Sequence, residues 1–175
     1  ALSSSLADRF AQVVVVDNLH PQIHAERKRP DALDDRCKLV VADVCEPGTW
    51  DALLPKFSPE VVIHLAAETG TGQSLTEASR HALVNVVGTS QLLDGLHRHG
   101  AIPAKLLLSS SRAVYGEGAW QREDGSVHYP GQRSADQLAK GEWDFAGSRP
   151  LPFQAARTQP APTSIYGSTK LAQEH

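Results

Sequence analysis

The sequence predicts an α/β fold built on a doubly wound parallel sheet. Short apolar runs rich in β-branched residues are typical of strands buried on both faces. Segments with the 3.6-residue spacing of a helix separate these runs, as the crossovers between parallel strands require. Polar or small residues follow each run, at the end of the strand where α/β sheets bind ligands. Together these three observations place the chain in the α/β class.

Four apolar runs predict the strands, and the segments between them predict the helices. The expected strands cover residues 12–17 (QVVVVD), 38–43 (KLVVAD), 60–67 (EVVIHLAA) and 103–110 (PAKLLLSS). Residues 21–35 are polar and predict a loop or a weak helix. The expected helices cover residues 1–10, 50–56, 75–100 and 163–175, and Gly100 is a plausible end for the third.

The segment 117–162 interrupts this alternation. It holds five prolines, and only residues 135–145 show helical spacing. A connection of this length without regular structure is usually functional or mobile. The chain also lacks methionine and opens in what reads as a helix already under way, so we treat it as part of a longer protein.

Composition excludes several classes of protein. The 175 residues carry 17 basic and 20 acidic side chains, a net charge of −3, and 41% are hydrophobic. This composition disfavours a disordered chain and a nucleic-acid binder that acts through bulk positive charge. Two cysteines are too few for a disulfide framework or a four-ligand zinc site. No apolar run approaches the length of a membrane span and no signal peptide is evident, so we expect a cytoplasmic location and no membrane partner.

Acids end the first two predicted strands. In doubly wound sheets, an acid at the position of Asp17 accepts hydrogen bonds from the ribose hydroxyls of an adenine dinucleotide. Taken alone, Asp17 is more often an ordinary exposed acid at a strand end. Its carboxylate would repel a 2′-phosphate, which favours NAD over NADP. Asp43 could accept from an adenine amino group while Val44 packs on the ring, although this signal is weak by itself.

Small and hydroxyl-bearing residues follow the third and fourth runs. Ala66 and Ala67 would let a ligand approach the backbone closely, or they reflect ordinary tight packing. His64, inside the third run, is more often a core histidine than a ligand or a base. The hydroxyls of residues 109–111 could donate to a substrate oxygen, or they form a polar strand terminus.

The strongest chemical signal is Tyr166 with Lys170. Residues four apart share one face of a helix. A lysine ammonium held nearby favours the deprotonated form of a phenol, which can then exchange a proton with a substrate hydroxyl. The alternative is an exposed Tyr–Lys pair, because this spacing is common by chance. No single feature decides between these interpretations. All of them are expected at one edge of one sheet, and this common location favours the functional interpretation.

These residues resemble the extended short-chain dehydrogenase/reductase family, in its NAD-dependent nucleotide-sugar epimerase/dehydratase branch. The likeness is closest to the dTDP-L-rhamnose 4-epimerase and UDP-glucose 4-epimerase types, and it covers most of the chain except the insert. The strings that carry it are VVVVDNL, VVADV, VIHLAAETGTGQS, VNVVGTSQLL, LLLSSSRAVYGEG and SIYGSTKLAQEH. The resemblance implies a Rossmann-like sheet, with residues 1–175 forming a partial NAD-binding domain and 117–162 a long irregular insert.

The resemblance also implies roles for individual residues. Tyr166 would be the acid/base, Ser111 the catalytic hydroxyl, and Lys170 a ligand of the nicotinamide ribose that supports the phenolate. Gln73 and Ser74, together with Ser111, would meet the substrate. Cofactor contacts are implied for Tyr166, Lys170, Asp17, Asn18, Asp43, Val44, Leu65, Ala66, Ala67, Thr69, Asn85 and Ser109.

Departures from the family pattern narrow the expectation. Dehydratases carry an Asp–Glu pair just after the catalytic hydroxyl, and here those positions are Arg112 and Ala113, which argues against 4,6-dehydration. Relatives with this insert often hold paired cysteines in it, and residues 117–162 contain none, so we predict no metal. The glycine-rich phosphate loop, expected just before Ala1, and the substrate lobe, expected after His175, are not in the chain.

The implied reaction is NAD-dependent epimerisation of a nucleotide sugar at carbon four through a transient keto sugar. We expect that activity of the intact protein, and we expect this chain alone to be inactive. Two alternatives stay open at this point. One is a net oxidoreductase or decarboxylase acting on a nucleotide sugar, and the other is a non-catalytic NAD sensor or scaffold. Family analogy further implies a homodimer paired through the long helix and the helix of Tyr166.

Overall fold

The computed structural model describes residues 2–175, so Ala1 of the first predicted helix lies outside the described residues. The chain divides into two compact units, and each is described by itself. The first unit comprises the residues up to Val62 together with Val87–Leu106. The second comprises Ile63–Val86 and Leu107–His175.

The elements follow the predicted alternation of strands and helices. The strands are β1 (Val13–Asp17), β2 (Cys37–Val41), β3 (Val61–His64), β4 (Lys105–Leu108), β5 (Trp120–Arg122), β6 (Val127–His128) and β7 (Ser148–Pro150). The α-helices are α1 (Leu2–Ala7), α2 (Pro47–Leu53), α3 (Ala78–His81), α4 (Gly88–Arg98), α5 (Ala135–Ala139) and α6 (Ile165–Glu174). Residues Ala82–Val87, between α3 and α4, form a turn of π-helix, and short 3₁₀ turns cover Gln73–Leu75 and Arg112–Tyr115.

Parallel pairing confirms the predicted strand type. β1 pairs with β2 in a parallel register that runs from Val13 opposite Cys37 to Asp17 opposite Val41. In the other pair, Lys105 N–H donates to the Glu60 carbonyl (3.3 Å), and Ser109 N–H donates to the His64 carbonyl (3.2 Å). Both β3 and β4 therefore advance in the same direction, as parallel strands do.

The strands are less buried than the sequence indicates. Every residue of β1 is half-buried, and Val41 of β2 is 62% exposed. In residues 2–175 the predicted sheet is recorded as two parallel pairs, β1 with β2 and β3 with β4. Within residues 2–175, each of these strands therefore has one hydrogen-bonded neighbour.

Helices α2 and α4 pack tightly in the first unit. Trp50 of α2 is buried, and its indole N–H donates to the Val44 carbonyl (3.1 Å). Gly95 of α4 faces it closely, because a Cβ added there would lie 2.6 Å from the Trp50 Cβ. The helix ends at Arg98, two residues before the predicted Gly100. Gly100 follows the cap with a φ of +61°, which suits a glycine, and Ala101 N–H donates to the Leu96 carbonyl.

The insert holds more regular structure than the sequence indicates. Strands β6, β5 and β7, in that order, form an antiparallel sheet whose central Trp120 is buried. The indole ring of Trp120 meets Phe145 edge-on, with centroids 4.9 Å apart. The prolines of this segment argued against strands in the sequence, because proline has no N–H to donate. Pro150 lies in an edge strand, where a missing N–H is tolerated.

Replacing Gly95 with alanine tests the α2–α4 contact. The added methyl overpacks the contact, which lowers the free energy of unfolding by about 1–3 kcal/mol. The higher helix propensity of alanine raises it by about 1 kcal/mol. We expect Gly95→Ala to lower the urea midpoint of unfolding. The matched control is Asp94→Ala, at an exposed position of the same helix, which should leave the midpoint nearly unchanged. An equal midpoint for both variants would contradict the close contact.

Candidate active site

In the first unit, a tight turn after β1 orients the Asp17 carboxylate. Its Oδ1 accepts a hydrogen bond from Leu19 N–H (2.7 Å), and its side chain is 45% exposed. Leu19 takes a left-handed conformation (φ 49°) that burial holds in place, since it is only 1% exposed. No described residue donates a hydrogen bond to Asp17 Oδ2. This oxygen can therefore accept from a ligand hydroxyl, as the sequence predicts.

In the same unit, both carboxylate oxygens of Asp43 accept hydrogen bonds. Its Oδ1 accepts from Cys45 N–H (2.8 Å), and its Oδ2 accepts from the Asn18 side-chain amide (3.3 Å). Burial would raise the pKa of Asp43, but the hydrogen bonds from Cys45 and Asn18 outweigh it and lower the pKa. The neighbouring Val44 is 7% exposed, so it offers little surface to an adenine ring.

In the second unit, the loop after β3 is fastened by Asn85. The Asn85 side-chain oxygen accepts from Glu68 N–H (2.8 Å), while its amide donates to the Glu68 carbonyl (3.0 Å) and to Thr169 Oγ1 (2.9 Å). Asn85 is fully buried, so it orders the loop rather than presenting itself to a cofactor. Leu65, by contrast, is 57% exposed. The predicted contacts of Leu65, Ala66, Ala67 and Thr69 with the cofactor stay predictions.

His81 belongs to this arrangement, although sequence reasoning missed it. It is fully buried, with Nδ1 3.0 Å from the Glu77 carbonyl oxygen and Nε2 3.3 Å from the Thr69 carbonyl oxygen. Its ring lies edge-on to Tyr166, with centroids 6.3 Å apart. His81 thus supports both the loop and the tyrosine. The sequence did offer a signal for this role, because His81 precedes Asn85 by four residues and therefore lies on the same face of the helix.

Ser111 begins a turn that packs directly against α6, and we call residues Ser111–Tyr115 the serine turn. Ser111 Oγ accepts from Ala113 N–H (3.1 Å), which caps the 3₁₀ helix. On α6, Gly167 follows Tyr166, and a Cβ at Gly167 would lie 2.5 Å from the Ala113 carbonyl oxygen. The predicted hydroxyl and the predicted tyrosine therefore belong to two elements in close contact.

The sequence begins α6 at a serine cap. Ser164 Oγ accepts from Gly167 N–H (3.0 Å), which satisfies one of the unpaired amides of the first turn. Thr169 donates back to the Tyr166 carbonyl (2.8 Å) while it accepts from Asn85. The helix that carries the tyrosine is therefore fixed at both its start and its middle.

Three polar groups at this contact keep hydrogen-bonding capacity that the described residues do not use. Ser111 accepts one bond but donates its hydroxyl hydrogen to no described residue. The Tyr166 hydroxyl, half-buried, forms no hydrogen bond within residues 2–175. Lys170 is 3% exposed, and no described acceptor binds its ammonium. These are the three residues that the sequence predicts to be catalytic.

Burial sets the electrostatics around Lys170. Burial lowers the pKa of Lys170, and the Glu174 carboxylate opposes the shift. Burial also lowers the pKa of His64, and the positive charge of Lys170 lowers it further. His64 is therefore neutral at pH 7, which agrees with its interpretation as a core histidine.

Other predicted residues lie in less suitable positions. Ser74 is fully buried, and its hydroxyl donates to the Thr71 carbonyl (2.7 Å), so its position does not support the predicted substrate contact. The Gln73 amide donates to Glu77 (3.1 Å). Ser109 is exposed at the end of β4, and Ser110 donates to Glu174. The substrate contacts predicted for Gln73 and Ser74 stay predictions.

Residues 2–175 hold neither a metal-binding cluster nor a membrane-spanning helix. No cluster of three or more His, Cys, Asp or Glu side chains is arranged to hold a metal ion. Within the same residues, no helix combines the length and hydropathy that crossing a lipid bilayer requires. The expected absence of metal stays a prediction.

Comparison with known families now decides the affiliation. The sequence profile of the NAD dependent epimerase/dehydratase family matches residues 1–139. The chain belongs to this family. The resemblance seen in the sequence is thereby confirmed.

Individual relatives of the family agree with this assignment. The chain is 63% identical over all 175 residues to a dTDP-L-rhamnose 4-epimerase of Burkholderia thailandensis, and covers 48% of it. Over 110 residues it is 33% identical to the UDP-glucose 4-epimerase of Mus musculus, a match that covers 59% of this chain and 31% of that protein. The chain therefore spans half or less of these relatives.

Solved structures confirm the Rossmann-like fold. A UDP-glucose 4-epimerase crystal structure matches 98% of this chain with a TM-score of 0.68 at 24% identity, over 40% of its own length. The UDP-glucose 4-epimerase of Brucella ovis in complex with NAD matches 99% of this chain with a TM-score of 0.66 at 24% identity, over 41% of its own length.

Gly167→Ala tests the contact between the serine turn and α6. The added methyl would meet a backbone carbonyl that cannot move aside as a side chain could, so we expect α6 to shift. The complete protein should lose about 1–3 kcal/mol of stability, together with most of its activity. Ser168→Ala, at an exposed position of the same helix, is the control. Full activity in Gly167→Ala would contradict the contact.

Lys170→Met tests the burial of the ammonium. Because the unfolded chain holds this proton more tightly than the folded chain, wild-type stability should rise with pH toward the ordinary lysine value of about 10.4. Methionine has no charge to bury, so the variant should be at least as stable as wild type at pH 7. That advantage should shrink as the pH rises.

The measurement is chemical unfolding of both proteins from pH 7 to pH 10, with Lys140→Met at an exposed position as control. A difference in unfolding free energy that stays constant with pH would contradict the assigned burial effect.

Proposed function

We propose that the complete protein containing this chain is an NAD-dependent nucleotide-sugar 4-epimerase that acts through a transient keto sugar. The observation that carries the proposal is the unused hydrogen-bonding capacity of Ser111, Tyr166 and Lys170. These groups have no partner among the described residues, so they can hydrogen-bond to the hydroxyls of a ligand.

Each unit, taken by itself, contains a group that fits part of an NAD cofactor. In the first unit, Asp17 Oδ2 is an available acceptor suited to a ribose hydroxyl. In the second unit, Lys170 is a buried residue whose ammonium has no described acceptor, and ribose hydroxyls would supply acceptors. When bound, NAD takes a hydride from the sugar carbon and returns it, which is the redox chemistry that the side chains here cannot provide.

The side chains themselves handle the proton and the oxygen. Tyr166 accepts the proton of the carbon-four hydroxyl as the keto sugar forms, and gives it back when the alcohol is restored. Ser111 donates its unused hydrogen to the same oxygen. The protein thus positions the sugar and moves one proton in each direction.

The residues after Ser111 favour epimerisation over dehydration. Eliminating water from the sugar requires an acid and a base beside the catalytic hydroxyl, and Arg112 and Ala113 stand there instead. The names of the relatives, dTDP-L-rhamnose 4-epimerase and UDP-glucose 4-epimerase, support the same choice. A net oxidoreductase or decarboxylase and a non-catalytic NAD sensor are the alternatives that the test must separate.

Three further parts of the proposal rest on family analogy. We infer a cytoplasmic homodimer paired through the helix that spans Ala78–Arg98 and through α6. Leu83 and Val87 on the first of these helices are 49% and 40% exposed, which supports apolar pairing there. Residues 1–175 would form part of an NAD-binding domain that carries the insert.

Tyr166→Phe in the complete protein tests the reaction. Proton exchange by a positioned side chain contributes about 10²- to 10⁴-fold, so we expect a loss of kcat in that range with NAD still bound. The assay incubates the protein with a panel of nucleotide hexoses, scores inversion at carbon four and records any net NADH. NAD retained by the protein is measured after heat denaturation.

Tyr129→Phe, a matched change within the insert, should keep its activity. Undiminished turnover by Tyr166→Phe would contradict the assigned role of the phenol. Net NADH formed by wild type would favour the oxidoreductase alternative. Cofactor binding without turnover of any hexose in the panel would favour the sensor.

A further inference from the structure

Arg112 places a cation directly after the catalytic hydroxyl of Ser111. Its guanidinium carbon lies 5.6 Å from the centroid of the Phe153 ring, and its Nη1 donates to the Gly116 carbonyl (3.4 Å). No carboxylate within residues 2–175 forms an ion pair with it, and the residue is exposed. Most of its five N–H donors therefore remain unused.

The aromatic ring beneath Arg112 comes from the insert. Phe153 also packs against Tyr115 of the serine turn, with ring centroids 5.7 Å apart. Gly118 makes room for it, because a Cβ there would lie 2.8 Å from the Phe153 ring atoms Cε1 and Cζ. Phe153 is thus held from two sides, and it supports the plane of the guanidinium.

The end of the insert is fastened to the serine turn. Ala161, in the irregular segment at the end of the insert, donates its N–H to the Val114 carbonyl of the serine turn (3.0 Å). A Cβ at Gly116 would lie 2.0 Å from the Ala161 carbonyl oxygen, so this approach requires glycine. The insert is therefore built onto the turn that carries Ser111 and Arg112, and Phe153 has a fixed place relative to both.

We propose that Arg112, held by Phe153, is a specificity-determining residue that donates hydrogen bonds to a hydroxyl oxygen of the substrate hexose. The inference rests on the proposed function, because it places the hexose at Ser111. Arg112 is the next residue along the turn, and its guanidinium stays charged and planar at every physiological pH. It cannot act as an acid or a base, so its contribution is to recognise a sugar oxygen. The insert then serves substrate selection.

Binding measurements on the complete protein test this role without requiring turnover. The probes are the nucleotide hexoses of the panel and the matching nucleoside diphosphate, which lacks the hexose. We expect Arg112→Gln to weaken binding of the recognised nucleotide hexose about 10- to 100-fold, the range for a hydrogen bond to a charged group. Binding of the nucleoside diphosphate should stay unchanged.

Analogues of the hexose identify the oxygen. Wild type should lose about 10- to 100-fold in affinity for the deoxy analogue that lacks the recognised hydroxyl, whereas Arg112→Gln should lose no more with that analogue than with the parent sugar. For Phe153→Leu, the loss of affinity for the same analogue should be smaller than for wild type. Arg112 keeps its charge in this variant, but it no longer has the aromatic ring that holds its guanidinium in place. Arg122→Gln, an exposed arginine of β5, is the control and should bind as wild type does.

Equal weakening of the nucleotide hexose and the nucleoside diphosphate would overturn the inference, because Arg112 would then act on the diphosphate. Unchanged affinity for both probes would overturn it as well. Failure of the proposed function would be a separate result. In that case the wild-type protein would invert no hexose of the panel, independently of any change at Arg112. Thermal unfolding and retained NAD verify that each variant is folded.

Discussion

The close approach of α6 to the serine turn is the constraint on which the rest of the site depends. A single glycine makes it possible, because any side chain at Gly167 would strike the carbonyl of Ala113. The contact places the element that carries the phenol against the element that carries the hydroxyl. Around it, Asn85 and His81 fasten the neighbouring loop through backbone groups, so that the loop and α6 share one set of hydrogen bonds.

The hydrogen bonds of the supporting residues differ from those of the three residues that we propose to take part in the reaction. Thr169, Asn85 and Ser164 use their side chains within the chain, and each holds a backbone segment or a helix end. Ser111, Tyr166 and Lys170 retain donors that no described residue uses. These unused donors are therefore the groups of this unit with which a ligand hydroxyl can form hydrogen bonds.

Sequence reasoning predicted the parts of the molecule that depend on local pattern. Parallel strands, the end of α4 close to Gly100 and the spacing of Tyr166 and Lys170 follow from periodicity and from residue chemistry. The insert was harder, because its three strands are held by pairing between distant segments, such as Trp120 opposite Pro150. His81 was missed for a related reason, since burial depends on which segments pack over a residue.

The buried Lys170 shows how stability and chemistry oppose each other in this unit. Removing a charged amine from water without a hydrogen-bond acceptor disfavours the folded state, and the lowered pKa of Lys170 expresses that cost. Packing alone would select an apolar side chain there. The lysine is explained if its acceptors arrive with a bound group, because binding then satisfies the donors and stabilises the fold at the same time.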